Sequence, residues 1–174
     1  CEQMQEGNIW QMKPRSKTEY IVIHCADTYE TMDIGAEDIR KWHVEERGWS
    51  DIGYHKVIRR DGTVETGRDI DVSGAHAAGF NSVSIGVCLV GGRGEDDEAE
   101  DNFTPQQWES LEGLVDELQA SYPDAEVLGH RDLPDVQKQC PAFDVRSWLF
   151  SIKQWGEVMI HKKKKKKKKG GYGY

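Results

Sequence analysis

Residues 20–25 read YIVIHC, a short apolar run rich in β-branched side chains that ends on a histidine and a cysteine. Such a run predicts a buried strand. His24 lies near the carboxyl end of this strand, which is where α/β sheets present their functional groups. Because successive side chains of a strand point to opposite faces, only one of His24 and Cys25 can line a site there.

Strands and helices alternate on the C-terminal side of this strand. Apolar runs and an Asp-Gly turn predict further strands at Tyr54–Arg59, Val64–Thr66, Ser84–Val90 and Glu126–Leu128. Helical spacing of apolar residues, and a capping pattern that starts at Thr104, predict helices at Gly35–Arg47, Thr104–Ser121 and Phe143–Ile152. This interleaving predicts a single α/β domain with a central mixed β-sheet flanked by helices.

The length and charge of the chain define three segments. The 174 residues predict one domain at residues 19–155, an N-terminal arm at 1–18 and a low-complexity tail at 156–174. The tail contains the eight consecutive lysines Lys162–Lys169 and is interpreted as a disordered segment or an engineered addition. The net charge is −8 with these lysines and −16 without them. The acidic body should therefore repel nucleic acids and anionic membranes, and only the tail should attract them, without nucleic-acid specificity.

Two features bear on the cellular compartment. The sequence has no run of about 18 apolar residues and no basic segment followed by an apolar one, so we expect neither a membrane-spanning helix nor a secretion signal. The 4 cysteines are too few and too scattered for a disulfide scaffold. They favour a reducing compartment, or a metal-binding role for one of them.

Three side chains from distant parts of the chain form a candidate metal site. His24 lies near the end of the first strand, His130 follows the last strand, and Cys140 lies in the loop after that. Two imidazoles and a thiolate suit Zn²⁺, and a fourth position left to water is typical of catalytic zinc. Cys25 and Cys88 are interpreted as small core residues. A thiol enzyme that uses one of the three cysteines, with a histidine as its base, stays open as an alternative.

The other large aromatic and histidine side chains receive structural interpretations. Isolated histidines in proteins are more often packing residues than ligands, so His43 and His55 are expected to pack. Four tryptophans are expected to lie in the core rather than to form a sugar platform. They are Trp42, Trp49, Trp108 and Trp148.

Several motifs together resemble the zinc N-acetylmuramoyl-L-alanine amidases of T-odd bacteriophages, and more widely the peptidoglycan recognition proteins and other type-2 amidases. The resemblance extends from about Thr18 to Trp148 without a missing block. It implies the α/β fold of that superfamily. The stretches that carry it are Ile23–Cys25, Gly48–His55, Arg60–Arg68, Ser84–Gly92, Asn102–Gln106, Gly129–Asp132 and Lys138–Pro141.

The resemblance assigns roles to individual residues. It implies that His24, His130 and Cys140 bind Zn²⁺. It implies that Tyr54 and Lys138 are catalytic. It also implies substrate contacts within one short segment, at His76, Phe80 and Asn81.

The implied reaction is hydrolysis of the amide that joins N-acetylmuramic acid to L-alanine in bacterial peptidoglycan, which causes cell lysis. In it, a zinc-activated water is the nucleophile. Tyr54 would orient or deprotonate this water, and Lys138 would stabilise the developing oxyanion. Such an endolysin is expected to be a monomer that stays in the host cytoplasm until lysis and then acts on the cell wall in the periplasm.

Other roles are compatible with the same resemblance. A peptidoglycan-binding module without activity is one alternative, but such modules usually lack the cysteine ligand, and Cys140 is present here. Inhibition of a phage RNA polymerase is another implied role. The charge of Lys162–Lys169 predicts contact with an anionic outer membrane.

Overall fold

The computed structural model of the protein describes residues 13–156. Residues 1–12 of the predicted arm, and the predicted tail from residue 157 onward with Lys162–Lys169, lie outside the described residues. The described end of the arm is hydrogen-bonded to the body of the protein. The backbone N–H of Arg15 donates to Asp71 O at 2.8 Å, and that of Ser16 donates to Ser82 O at 2.8 Å.

A five-stranded mixed sheet forms the centre of the described region. The strands are β1 (Tyr20–Cys25), β2 (Thr28–Tyr29), β3 (Lys56–Ile58), β4 (Val64–Thr66), β5 (Ser84–Leu89), β6 (Gly92–Arg93) and β7 (Glu126–Gly129). The sheet order is β4-β3-β5-β1-β7, and β2 pairs separately with β6. β1 lies parallel between β5 and β7, whereas β4 is antiparallel to β3. The predicted mixed sheet is confirmed, and its first strand is one of the two inner strands of the parallel set β3-β5-β1-β7.

The strand predicted at Tyr54–Arg59 is shorter than expected, because β3 covers only Lys56–Ile58. His55 still donates its backbone N–H to Gly86 O of β5 at 2.9 Å, but Gly53 is bonded to a neighbouring loop, since the backbone N–H of Ala75 donates to Gly53 O at 3.0 Å. A Cβ atom at Gly53 would lie 2.2 Å from Ala75 O, so this close approach needs a glycine. Tyr54 therefore lies in an irregular segment before β3, and the prediction that it belongs to a strand is wrong.

The three predicted helices are present with small differences at their ends. α1 (Ala36–Lys41) continues as a π-helical turn at Trp42–Glu46, so together they cover the first predicted helix. α2 (Pro105–Ser121) has the predicted capping box, in which Thr104 Oγ1 accepts from the backbone N–H of Gln107 at 3.1 Å. α3 covers residues 145–156 and starts two residues later than predicted. None of the helices in the described region is long and apolar enough to cross a membrane.

The two faces of the sheet carry different helices. α2 and α3 cover one face, where Ile21 of β1 and Leu111 of α2 belong to the largest core cluster. α1 covers part of the other face, where Ile39 packs in a cluster with Cys88 of β5. His24 is the register partner of Cys88 and therefore points to the α1 side. The fold thus places His24 at the carboxyl end of the sheet, away from the main core.

Candidate metal centre

The parallel pairing of β1 with β7 brings two of the predicted ligands together. Ile23 is opposite Gly129 in the register, so His24 and His130 are the next residues along the two adjacent strands. Their ring centroids lie 4.5 Å apart. His24 is 1% exposed, whereas His130 is partly exposed at the start of the 3₁₀ turn His130–Asp132. The sheet itself therefore sets the separation of the two imidazoles.

Cys140 reaches the same point from the loop that follows the turn. Its carbonyl oxygen accepts from the backbone N–H of Arg131 at 2.9 Å, which ties the loop to the turn. Its Sγ accepts from the backbone N–H of Cys25 at 3.3 Å and lies 3.8 Å from His24 Nδ1. One nitrogen from each histidine and the Cys140 sulfur all lie within 4.8 Å of one another. The structure thus brings the three predicted ligands together.

Burial of the two histidines, and a hydrogen bond to the cysteine, determine the protonation states of this cluster. Burial, followed by the charges of His76, His130 and Lys138, places the pKa of His24 well below its usual value. Burial and the charge of Lys138 also lower the pKa of His130. A hydrogen bond with the Cys25 thiol, followed by burial, raises the pKa of Cys140. At neutral pH the imidazoles therefore offer free lone pairs, and the thiol keeps its proton until a cation displaces it.

The donor set and its spacing fit zinc. In tetrahedral zinc sites with usual bond lengths, a nitrogen and a sulfur ligand lie about 3.6 Å apart. The 3.8 Å between His24 Nδ1 and Cys140 Sγ is close to this value. Three protein ligands leave a fourth position open, and that is the arrangement of catalytic rather than structural zinc.

Tyr54 and Lys138, the two predicted catalytic residues, line the same cavity as the three ligands. The rings of Tyr54 and His24 lie 5.1 Å apart. Burial, and then the nearby thiols of Cys88, Cys140 and Cys25, raise the pKa of Tyr54 well above its usual value. The Tyr54 phenol is therefore protonated at neutral pH and can donate a hydrogen bond, but it is a poor base. Lys138 supplies positive charge to the same cavity.

The cavity has a volume of about 700 Å³ and extends beyond the ligands along the end of the first helix. Its lining also includes Trp42, His43, Arg47 and Trp49. Trp42 packs against the core cluster of Ile39 and Cys88, as expected, and also lines the cavity. Trp49 lines the cavity and packs against His43 outside the core clusters of the described residues, so the expectation that it lies in the core is wrong. The signal that could have found Trp49 is its position within Gly48–His55, the motif that also carries Tyr54. Trp108 and Trp148 do pack against the main core, as expected.

The two histidines expected to pack differ from each other. His55 is 0% exposed and has both ring nitrogens bonded to backbone, with Nε2 2.7 Å from Val72 O and Nδ1 2.9 Å from Gly86 N. Its packing role is confirmed. His43 is 7% exposed, and its Nδ1 accepts from the backbone N–H of Gly53 at 2.9 Å. His43 therefore packs as expected and also contributes to the cavity wall.

The three residues predicted to bind substrate have different surroundings. His76 lines the cavity, and its Nδ1 lies 2.9 Å from His24 Nε2. Asn81 Oδ1 accepts from the backbone N–H groups of His76 and Ala77, each at 2.9 Å. The ring of Phe80 packs edge-on against Tyr20 with centroids 5.7 Å apart. The contacts of Asn81 and Phe80 hold the loop that carries His76, and substrate binding by these residues stays a prediction.

A family model described as "N-acetylmuramoyl-L-alanine amidase" matches residues 14–143 of the chain. The chain therefore belongs to the N-acetylmuramoyl-L-alanine amidase family. Among curated proteins, it is 48% identical to the endolysin of Enterobacteria phage K11, over 80% of this chain and 90% of that protein. It is 46% identical to the endolysin of Escherichia phage T7, over 79% of this chain and 89% of that protein.

Solved structures show the same fold. The Ph2119 endolysin from a Thermus scotoductus bacteriophage superposes with a TM-score of 0.63 at 30% identity, covering 77% of this chain and 87% of that one. The N-acetylmuramoyl-L-alanine amidase LysC from Clostridium intestinale gives a TM-score of 0.64 at 30% identity, covering 83% of this chain and 87% of that one. Drosophila PGRP-LB gives a TM-score of 0.59 at 28% identity, covering 74% of this chain and 81% of that one. The resemblance inferred from the motifs and the predicted fold class are both confirmed.

Proposed function

We propose that this protein is an endolysin that hydrolyses the amide between N-acetylmuramic acid and L-alanine in bacterial peptidoglycan, with Zn²⁺ bound by His24, His130 and Cys140. The observation that carries the proposal is the convergence of the three ligand atoms within 4.8 Å at one wall of a cavity of about 700 Å³. Membership of an amidase family, and the endolysins among its relatives, support the same activity.

An unactivated amide needs both a strong nucleophile and stabilisation of the oxyanion that forms on its carbonyl oxygen. When bound, zinc supplies a Lewis acid that polarises the carbonyl and makes water more acidic. The protonated phenol of Tyr54 orients the attacking water or the carbonyl by donating a hydrogen bond. The ammonium group of Lys138 places positive charge in the same cavity, where it stabilises the developing oxyanion. One such preorganised group contributes about 3–4 kcal/mol to lowering the barrier.

The raised pKa of Tyr54 decides between the two roles open to it. A general base must be deprotonated in a fraction of the molecules near neutral pH. Burial disfavours the Tyr54 phenolate, so orientation of the water is favoured over its deprotonation.

A thiol mechanism has less support from the same environment. A nucleophilic cysteine needs a lowered pKa and an accessible sulfur. Burial places the pKa of Cys88 well above its usual value, and Cys88 is 0% exposed. The pKa of Cys140 is also raised. A hydrogen bond with Cys140 lowers the pKa of Cys25, and Cys25 lines the cavity together with His24, contrary to the expectation that only one of the two would. Cys25 is nevertheless only 8% exposed and packs in the main core cluster. The predicted core positions of Cys25 and Cys88 are thus confirmed.

The test measures metal content and amide hydrolysis on the same purified protein. We expect about one zinc per chain, release of new amino-terminal L-alanine from purified peptidoglycan, loss of hydrolysis after chelation and recovery on adding Zn²⁺. The Cys140→Ser variant should lose both zinc and hydrolysis, while Cys88→Ser should keep its zinc. Full hydrolysis by a metal-free protein, with inactivation by a thiol-blocking reagent, would establish the thiol mechanism instead.

Four further expectations stay predictions. They are the monomeric state, residence in the host cytoplasm until lysis, inhibition of a phage RNA polymerase, and contact of Lys162–Lys169 with an anionic outer membrane. The last concerns residues outside the described range. Killing of intact cells by the full chain and by a chain ending at residue 156, compared at low salt, tests it directly, since equal killing would contradict the contact.

A further inference from the structure

We propose that His76 is a positioning residue: it fixes the tautomer of His24, so that the His24 Nδ1 lone pair points to the metal. The proposal rests on the proposed zinc site and gives His76 a role separate from substrate contact. It follows from a chain of hydrogen bonds that runs from a backbone carbonyl group to the ligand.

The direction of each hydrogen bond can be assigned from the first one. Ser84 Oγ lies 2.7 Å from Phe80 O, a carbonyl oxygen that can only accept, so the single Ser84 hydroxyl proton lies in this bond. Ser84 Oγ also lies 3.2 Å from His76 Nε2 and must accept there. The proton of a neutral His76 therefore lies on Nε2, and its Nδ1 is an acceptor.

The position of the proton on His24 follows from its position on His76. His76 Nδ1 lies 2.9 Å from His24 Nε2, so His24 donates through an Nε2–H group. The Nδ1 atom of a neutral His24 then carries the lone pair. This is the nitrogen that lies 3.8 Å from Cys140 Sγ, on the side where the ligands converge. The hydrogen-bond chain thus selects the tautomer of His24 that can bind a metal through Nδ1.

The surroundings of His76 hold its ring in the required orientation. A Cβ atom at Gly86 would lie 2.6 Å from His76 Cγ, and one at Gly74 would lie 2.6 Å from His76 Cδ2. These two glycines therefore leave a slot that the imidazole fills. The His24 and His76 rings are nearly perpendicular, at 88° with centroids 5.0 Å apart. Asn81 fixes the backbone of His76 by accepting its N–H.

Partners that orient a metal-binding histidine change metal affinity by about 10–100-fold when they are removed. We therefore expect His76→Leu, which has no acceptor, to weaken zinc binding by a factor in this range. The His76→Asn variant should recover most of the loss, because its side-chain oxygen can take the place of Nδ1. Gln107→Leu is the control, since it removes another buried hydrogen-bonding side chain that does not line the cavity and should leave the zinc dissociation constant within about twofold.

Two measurements test the proposal. Competition with a chromogenic chelator gives the zinc dissociation constants of the full-length protein and its three variants. Long-range ¹H–¹⁵N NMR of the metal-free wild type gives the tautomer of His24 directly, and we expect Nε2–H. The NMR measurement needs no variant, so it tests the proposal even where a substitution impairs folding.

The outcomes separate this proposal from the one it rests on. A wild type that binds no zinc contradicts the proposed metal site, whatever the tautomer of His24. A wild type that binds zinc while metal-free His24 carries its proton on Nδ1 overturns the role of His76. Equal zinc affinities for wild type and a folded His76→Leu variant would overturn it as well.

Discussion

The affinity of this protein for Zn²⁺ should rise with pH. Near neutral pH, the deprotonation of Cys140 alone should cause this rise. The hydrogen bond with Cys25 and burial raise the pKa of Cys140, so the metal-free protein holds a protonated thiol at pH 7. The pKa values of His24 and His130 are lowered from 6.5, so both imidazoles are already neutral. Binding Zn²⁺ at pH 7 should therefore release one proton, and that proton comes from Cys140.

The size of the pH effect on zinc affinity follows from the number of protons released. Each proton released on binding makes the apparent association constant rise about tenfold per pH unit. Between about pH 7 and pH 8.5 we thus expect an increase of about 30-fold. Below the pKa values of His24 and His130, protons also compete for the imidazoles, so the affinity should fall more steeply with decreasing pH.

The assay is calorimetric titration of the metal-free protein with Zn²⁺ in two buffers of different ionisation enthalpy, which counts the protons released at each pH. The matched variant is Cys140→Asp, because a carboxylate binds zinc but is already deprotonated at pH 7. Its proton release at pH 7 should be close to zero, and its affinity should hardly change between pH 7 and 8.5. Release of no proton by the wild type would refute the inference that the Cys140 thiol is protonated without a metal.

Two further predictions concern Lys138 and Tyr54, the proposed catalytic residues. Lys138→Ala should keep its zinc and lose about 10²–10³-fold in kcat, because it removes a preorganised positive charge from the cavity. Zinc analysis alongside peptidoglycan hydrolysis checks this, and loss of the metal would show that Lys138 supports the ligands instead. Tyr54→Phe should keep its zinc and lose about 100-fold in kcat, since it removes the hydrogen-bond donor and keeps the ring that contacts His24. An unchanged kcat for Tyr54→Phe would contradict the orienting role.

The sequence is sufficient to predict the elements that position two of the proposed ligands. The β-branched run at Tyr20–Cys25 identifies a buried strand, and the position of His24 near its carboxyl end makes that residue a candidate ligand. His130 was found by the same rule, since it follows the last strand. Local patterns do not give the order of strands in a sheet, however. The sequence alone therefore could not show that β1 and β7 are neighbours, which is what brings the two imidazoles together.

Features that depend on contacts between distant segments were missed or misplaced. The run Tyr54–Arg59 before the Asp-Gly turn predicts a strand that includes Tyr54, but the close approach of Gly53 to Ala75 leaves Tyr54 outside β3. His76 was assigned to substrate contact, and its hydrogen bond to His24 became visible only in the folded chain. The slot that receives its ring includes Gly86, whose role as a spacer cannot be distinguished in the sequence from that of any other strand glycine.

The three proposed ligands are attached to elements of different rigidity, and this difference indicates which part of the site moves when a metal binds. His24 and His130 are attached to neighbouring strands of the central sheet, where backbone hydrogen bonds fix their separation. Cys140 is attached to a loop and is held there by backbone N–H groups of Arg131 and Cys25. Closing the distance from 3.8 Å to about 3.6 Å therefore needs a small shift of the loop and none of the sheet. For this reason the removal of the Cys140 thiol, as in Cys140→Ser, should abolish zinc binding without disturbing the sheet, whereas changes in β1 or β7 would affect the metal site and the fold together.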